Sequence, residues 1–91
     1  MFHSVSSVQP RPGYILDVCF QDGTCRYYDV SQLFSRWEVF QTLNQVQGLF
    51  EQVKVDAGGY GVSWNDDLDL SCNELWENGI QTDEMGGELG A

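Results

Sequence analysis

Tyr14-Ile-Leu-Asp-Val-Cys-Phe20, Gln21-Asp-Gly-Thr24 and Cys25-Arg-Tyr-Tyr-Asp29 form the stretch on which the fold turns. Two runs rich in aliphatic, β-branched and aromatic residues flank an Asp-Gly pair, which is the sequence signature of a β-hairpin. A two-residue type I′ turn at Asp22-Gly23 pairs Phe20 with Cys25, Val18 with Tyr27 and Leu16 with Asp29. Alternate residues of a strand share a face. That register therefore predicts Leu16, Val18, Phe20, Cys25 and Tyr27 on the core side. Ile15, Asp17, Cys19, Arg26 and Tyr28 take the other side, where Asp17 sits diagonal to Arg26 within reach of a cross-strand ion pair. Cys19 and Cys25 fall on opposite faces in this register, which argues against a disulfide between them.

Working outward, Ser4-Val-Ser-Ser-Val-Gln9 reads as a short first strand ended by Pro10-Arg-Pro-Gly13, with a turn at Pro12-Gly13. Downstream, Asp29 followed by Gln32 is a capping signal for a short helix through Leu33, Phe34 and Trp37. Asn44 and Gln47 repeat that signal before Leu49 and Phe50, although Gly48 weakens a helix there by about 1 kcal/mol relative to Ala. Val53-Lys-Val-Asp56 and Tyr60-Gly-Val-Ser-Trp64, joined through Ala57-Gly-Gly59, read as a second hairpin in which Val53 and Val55 alternate against Val62 and Trp64. Ser71-Cys-Asn-Glu74 is a capping box opening a helix that carries Leu75 and Trp76 and ends at Asn78-Gly79. The predicted class is α+β: a small antiparallel β-sheet of two hairpins plus an N-terminal strand, with two or three short helices, in the order β-β-β-α-α-β-β-α. Residues 1–81 make one domain. Residues 82–91, rich in glycine and acid without periodicity, read as a disordered acidic tail.

At 91 residues the chain is sized for one core, and its 42% hydrophobic and 13% aromatic content is too apolar for a disordered protein. Cys19, Cys25 and Cys72 form no Cys-x-x-Cys pair and have no histidine at metal spacing, so neither a zinc site nor a disulfide framework is expected. Free thiols imply a reducing compartment, hence the cytoplasm. No signal-peptide pattern and no apolar run near the ~20 residues of a membrane helix is present.

The net charge of −10 is unevenly placed. Residues 1–54 hold four cations against five acids, a net of −1, whereas residues 55–91 hold nine acids and no cation, a net of −9. Such a field attracts a basic protein and repels phosphate backbones, so direct nucleic-acid binding is not expected. The same acids also keep a small domain soluble.

Asp66, Asp67 and Asp69 suggest a hard-cation site, but the calcium-loop template starting at Asn65 puts Leu70 where glycine belongs and Trp76 where the bidentate glutamate belongs. A solvated loop fits better. His3 is the chain's one imidazole and lies in a terminal segment, which leaves serine or cysteine nucleophiles without a base. Gly58-Gly59-Tyr60-Gly61 lies between strands rather than opening a helix, so it is no phosphate loop. Trp64 and Trp76 are expected in the core, and Trp37 divides evenly between core and interface. No catalytic, cofactor or metal residue is assigned. The candidate partner-binding residues are Asp66, Asp67, Asp69, Trp37, Glu74 and Glu77, the expected partner is a basic protein, and homo-oligomerisation is left open. A small metal-dependent or carboxylate-based enzyme using Asp66, Asp67 and Asp69 is the alternative from another class, and an accessory domain of a transcription regulator is a third.

Phe20-x-Asp22-Gly23, Asp29-Val30-Ser31, Phe50-x-x-Val53-x-Val55-Asp56, and Trp64 with Leu68-Asp69, in this order and spacing, resemble the bacterial domain of unknown function 2442 over about residues 5 to 79. A common form of that family carries Pro-Asn-Gly after the tryptophan, where this chain has Asn65-Asp66-Asp67. The resemblance implies an antiparallel sheet with helices on one side and no established activity. It also implies a possible place in toxin–antitoxin-like pairs for stand-alone members, while other members are fused to a helix-turn-helix domain.

Overall fold

The computed structural model describes residues 3–81; the acidic tail predicted for 82–91 lies outside the described residues. Seven strands occur among them: β1 (Val5–Arg11), β2 (Ile15–Phe20), β3 (Cys25–Asp29), β4 (Lys54–Val55), β5 (Gly61–Asn65), β6 (Leu68–Ser71) and β7 (Ile80–Gln81). They form two antiparallel sheets, ordered β1-β2-β3-β7 and β4-β5-β6, with helices α1 (Thr42–Gln45) and α2 (Cys72–Asn78). The class is α+β, as expected. Among the described residues no helix is long and apolar enough to cross a membrane.

The first hairpin forms where expected but in a register one residue away. Its connection has three residues, not two: the Gly23 amide donates to the Phe20 carbonyl at 3.0 Å and the Phe20 amide to the Thr24 carbonyl at 2.8 Å. Gly23 takes φ +91°, the left-handed position that follows a type I turn. Asp22 Oδ1 accepts the Thr24 amide at 2.9 Å, a bond that holds the Asp22 carboxyl below the usual carboxylate range. Asp-Gly satisfies both turn types, so the dipeptide alone does not set the register. Leu16 therefore faces Tyr28, Val18 faces Arg26 and Cys19 faces Cys25.

Every assignment on β3 flips with that shift. Tyr28, not Tyr27, is buried beside Leu16, Val18 and Phe20. Arg26 turns to the core side, and Asp17 pairs with Arg11 at 2.9 Å instead. Cys19 and Cys25 share a face with Cα atoms 4.0 Å apart and are joined by a disulfide, so the expectation of three free thiols is corrected and the inference of a reducing compartment loses its premise. Closing so short a loop stabilises by ~2 kcal/mol in the chain-entropy account. Urea unfolding of a Cys19→Ser/Cys25→Ser double variant should show a loss of that size, and an unchanged midpoint would mean that the bond carries no stability.

β1 runs through Pro10 to Arg11 rather than stopping at Gln9. The bonded pairs of β2 and β3 alternate from Phe20/Thr24, so Leu16 directs its amide and carbonyl at β3 and leaves Pro10, its β1 neighbour, in a non-bonded pair. The proline nitrogen thus faces outward from an edge strand, where no N–H is required. In the second sheet Val55 opposes Val62, as the alternation predicts. β6 was expected to be loop. Its period-2 pattern is complete, with Leu68 and Leu70 buried and Asp69 and Ser71 exposed, but the neighbouring aspartates obscure it.

Residues 30–53 contain no long helix. A 3₁₀ turn at Val30–Leu33 is capped by Asp29, whose Oδ1 accepts the Ser31 amide at 3.0 Å; further 3₁₀ turns span Glu38–Gln41 and Phe50–Gln52. Asn44 lies inside the single turn of α1 instead of capping a helix. This connection delivers Leu33, Phe40, Leu43 and Phe50 into one core with Val62, Trp64 and Leu75, and separate short turns reach those anchor points where one straight helix would not. The final helix lies where predicted, with half of the capping box formed: Ser71 Oγ accepts the Glu74 amide at 3.1 Å, while the Glu74 carboxylate accepts the Tyr28 hydroxyl and not the Ser71 amide, and the Gly79 amide closes on the Leu75 carbonyl at 3.0 Å.

Candidate functional site

The turn between β5 and β6 is closed by one side chain. Asn65 Oδ1 accepts the amides of Asp67 at 2.9 Å and Leu68 at 3.0 Å, mimicking a backbone turn. Asp66 and Asp67 are consequently free of any closing role, and both are exposed. Asp69 is exposed on β6, and α2 follows that strand directly, carrying Glu74 and Glu77. Five of the six candidate residues therefore belong to one continuous hairpin and helix. Trp37, 54% exposed, sits on a different segment, the connection between the first two 3₁₀ turns.

The two glutamates differ in what they are free to do. Glu74 accepts the Tyr28 hydroxyl at 2.7 Å, tying α2 to the centre of the first sheet. Burial, reinforced by that bond, pushes the Tyr28 phenol well above the usual tyrosine range, so it stays a donor at any physiological pH. Glu77 is exposed and, among the described residues, accepts only the Asn73 side-chain amide, at 2.9 Å. The one ion pair among the described residues joins Arg11 and Asp17 on the first sheet, so no salt bridge among them neutralises the acids of the hairpin and α2. No three His, Cys, Asp or Glu side chains among the described residues come together to hold a metal.

A second cluster surrounds Trp76. The His3 ring stacks on the indole, with centroids 3.5 Å apart and planes within 2°. The Arg26 guanidinium lies 4.0 Å from the indole centroid, and its Nη1 donates to the Trp76 carbonyl at 2.8 Å. Phe20 meets the same ring edge-on at 5.0 Å. Among the described residues Arg26 Nε is buried without a hydrogen-bond acceptor, and His3, Arg26, Asn73, Trp76 and Glu77 line a cavity of about 450 Å³. Trp64 is buried as expected, whereas Trp76 is half-buried and spends its ring on His3 and Arg26. This cluster was not legible in the chain. Its members are scattered from residue 3 to residue 77, and the hairpin register decides whether Arg26 faces α2 at all.

Residues 5–81 match the family described as Protein of unknown function (DUF2442). The chain belongs to this family. The match runs from the first residue of β1 to the last of β7, so it contains both sheets, the acidic hairpin and α2, while His3 lies just outside it. No curated protein and no solved structure matches the chain. The DUF2442 description carries no activity.

Proposed function

We propose that this DUF2442 domain is a non-enzymatic protein-interaction module that receives a basic protein on its acidic hairpin and final helix. The observation that carries the reading is the set Asp66, Asp67 and Asp69: three exposed carboxylates that neither close the turn, which Asn65 does, nor take part in a salt bridge among the described residues, on a stretch that has no lysine or arginine from residue 55 onward. Unneutralised charge of one sign steers an oppositely charged partner and suppresses like-charged ones, with contact rates that fall as salt rises. Long-range steering is screened over about 8 Å at physiological ionic strength, so the effect is strongest for a partner that lands on the carboxylates themselves.

Co-purification followed by binding measurements tests this. A basic partner is expected, with affinity falling at least tenfold between low and moderately high salt and falling similarly in an Asp66→Asn/Asp67→Asn/Asp69→Asn variant. Salt-insensitive binding, or a variant that binds as tightly as the parent, would overturn the charge-guided reading.

A further inference from the structure

Resting on that reading, we propose the mode of contact: the basic partner enters as an extended segment that adds a strand to the outer edge of β6. The second sheet ends at β6, which pairs only with β5 among the described residues. The direction of its free backbone groups follows from the ladder. The Cys72 amide donates to the Tyr60 carbonyl at 2.8 Å, which makes that pair a bonded one. Pairs alternate from there, so Val62/Leu70 is bonded while Gly61/Ser71 and Ser63/Asp69 are not. The amide and carbonyl of Asp69 and the amide of Ser71 therefore point away from β5, toward the open side.

The other sheet margins are closed or too short. On β1 the outward position at Pro10 has no N–H to offer, and the N-terminal end of β1 is crossed by the 57–59 turn, close enough that a Cβ on Gly59 would lie 2.6 Å from the Val5 carbonyl oxygen. β4 and β7 are two residues each.

Charge selects the occupant. Asp69 presents its carboxylate from the edge strand itself, and Asp66 and Asp67 flank it at the turn. A second copy pairing β6 to β6 would set these carboxylates against their own counterparts, which is destabilising for like charges held directly opposite. A strand with alternating lysine or arginine meets them with opposite charge while its backbone pairs with Asp69, the pattern of β-strand addition.

The test uses two synthetic peptides of about eight residues with alternating lysine and valine. One is unmodified, and the other has the same sequence with alternate backbone amides N-methylated so that its charge is kept and its pairing edge lost. The unmodified peptide is expected to bind at low salt, slow hydrogen exchange at the Asp69 and Ser71 amides, and bind at least tenfold more tightly than the methylated one. Equal binding of the two, with no protection at those amides, overturns strand addition while leaving the acidic docking surface standing. If neither peptide binds at low salt, both readings fail together.

Discussion

Replacing Trp64 by alanine is expected to lower the unfolding free energy by ~3–5 kcal/mol, the range for deleting a buried tryptophan side chain. Trp64 is 4% exposed and stands between the second sheet and the irregular connection, with ring centroids 6.3 Å from Phe40 and 6.2 Å from Phe50. Its indole N–H donates to the Phe50 carbonyl at 3.0 Å, so alanine removes packing and also strips that carbonyl of its donor. An unsatisfied buried acceptor alone costs ~1–3 kcal/mol. Residues 40–50 have little regular structure to hold them, which makes this anchor disproportionately important there. Against a typical domain stability of ~5–15 kcal/mol, the variant retains a reduced margin. Urea unfolding of Trp64→Ala beside Trp64→Phe measures it. Phenylalanine keeps most of the ring and loses the donor, so it should fall between parent and alanine. A loss below ~1 kcal/mol for alanine would show that the connection does not rest on this ring.

Gly59→Ala is expected to cost ~2–4 kcal/mol, for two reasons that add. Its φ of +74° is the left-handed region, which costs an L side chain ~1–2 kcal/mol. In addition, a Cβ there would lie 2.6 Å from the Val5 carbonyl oxygen and 3.0 Å from the Val5 amide nitrogen. Both are backbone atoms of a strand already paired to β2, so they have little freedom to retreat. Gly23→Ala separates the two causes, because Gly23 has φ +91° with nothing within 4 Å of its would-be Cβ. It should therefore show the conformational cost alone, ~1–2 kcal/mol. Thermal unfolding should place Gly59→Ala below Gly23→Ala by several degrees, at roughly 4–8 °C per kcal/mol for a domain of this size. Equal melting temperatures would mean that β1 does not cross the 57–59 turn as described.

The disulfide and the Arg26 cluster share one cause. A single extra residue in the first turn moved Cys25 onto the face of Cys19 and Arg26 onto the face of Val18. Asp17 then took Arg11 as its partner, and the guanidinium freed from that pairing lies over Trp76, linking the first sheet to α2. The Tyr28–Glu74 bond has the same origin, since only a core-facing Tyr28 reaches the final helix. Of the candidate partner-binding acids, Glu74 is engaged by that bond, whereas Asp66, Asp67 and Asp69 are exposed.

Local patterns were enough for the α+β class, both hairpins, the capped helix from Ser71, the burial of Trp64 and the concentration of acid after residue 55. Each depends on neighbours within a few residues: period-2 alternation, a serine oxygen three residues from its amide, a turn dipeptide. What the chain left open is whatever depends on a count that local chemistry permits in two ways. Asp-Gly accepts a two- or a three-residue connection, and since strand faces alternate at every residue, that ambiguity inverted the whole of β3. In the 30–53 connection the capping signals propose helices, while the core sets how far each runs before its apolar residues turn inward. Strand β6 emerged only once Leu68 and Leu70 had a sheet to bury against. The open edge it leaves beside three aspartates is thus a product of tertiary pairing, although the carboxylates that mark it were visible from the start.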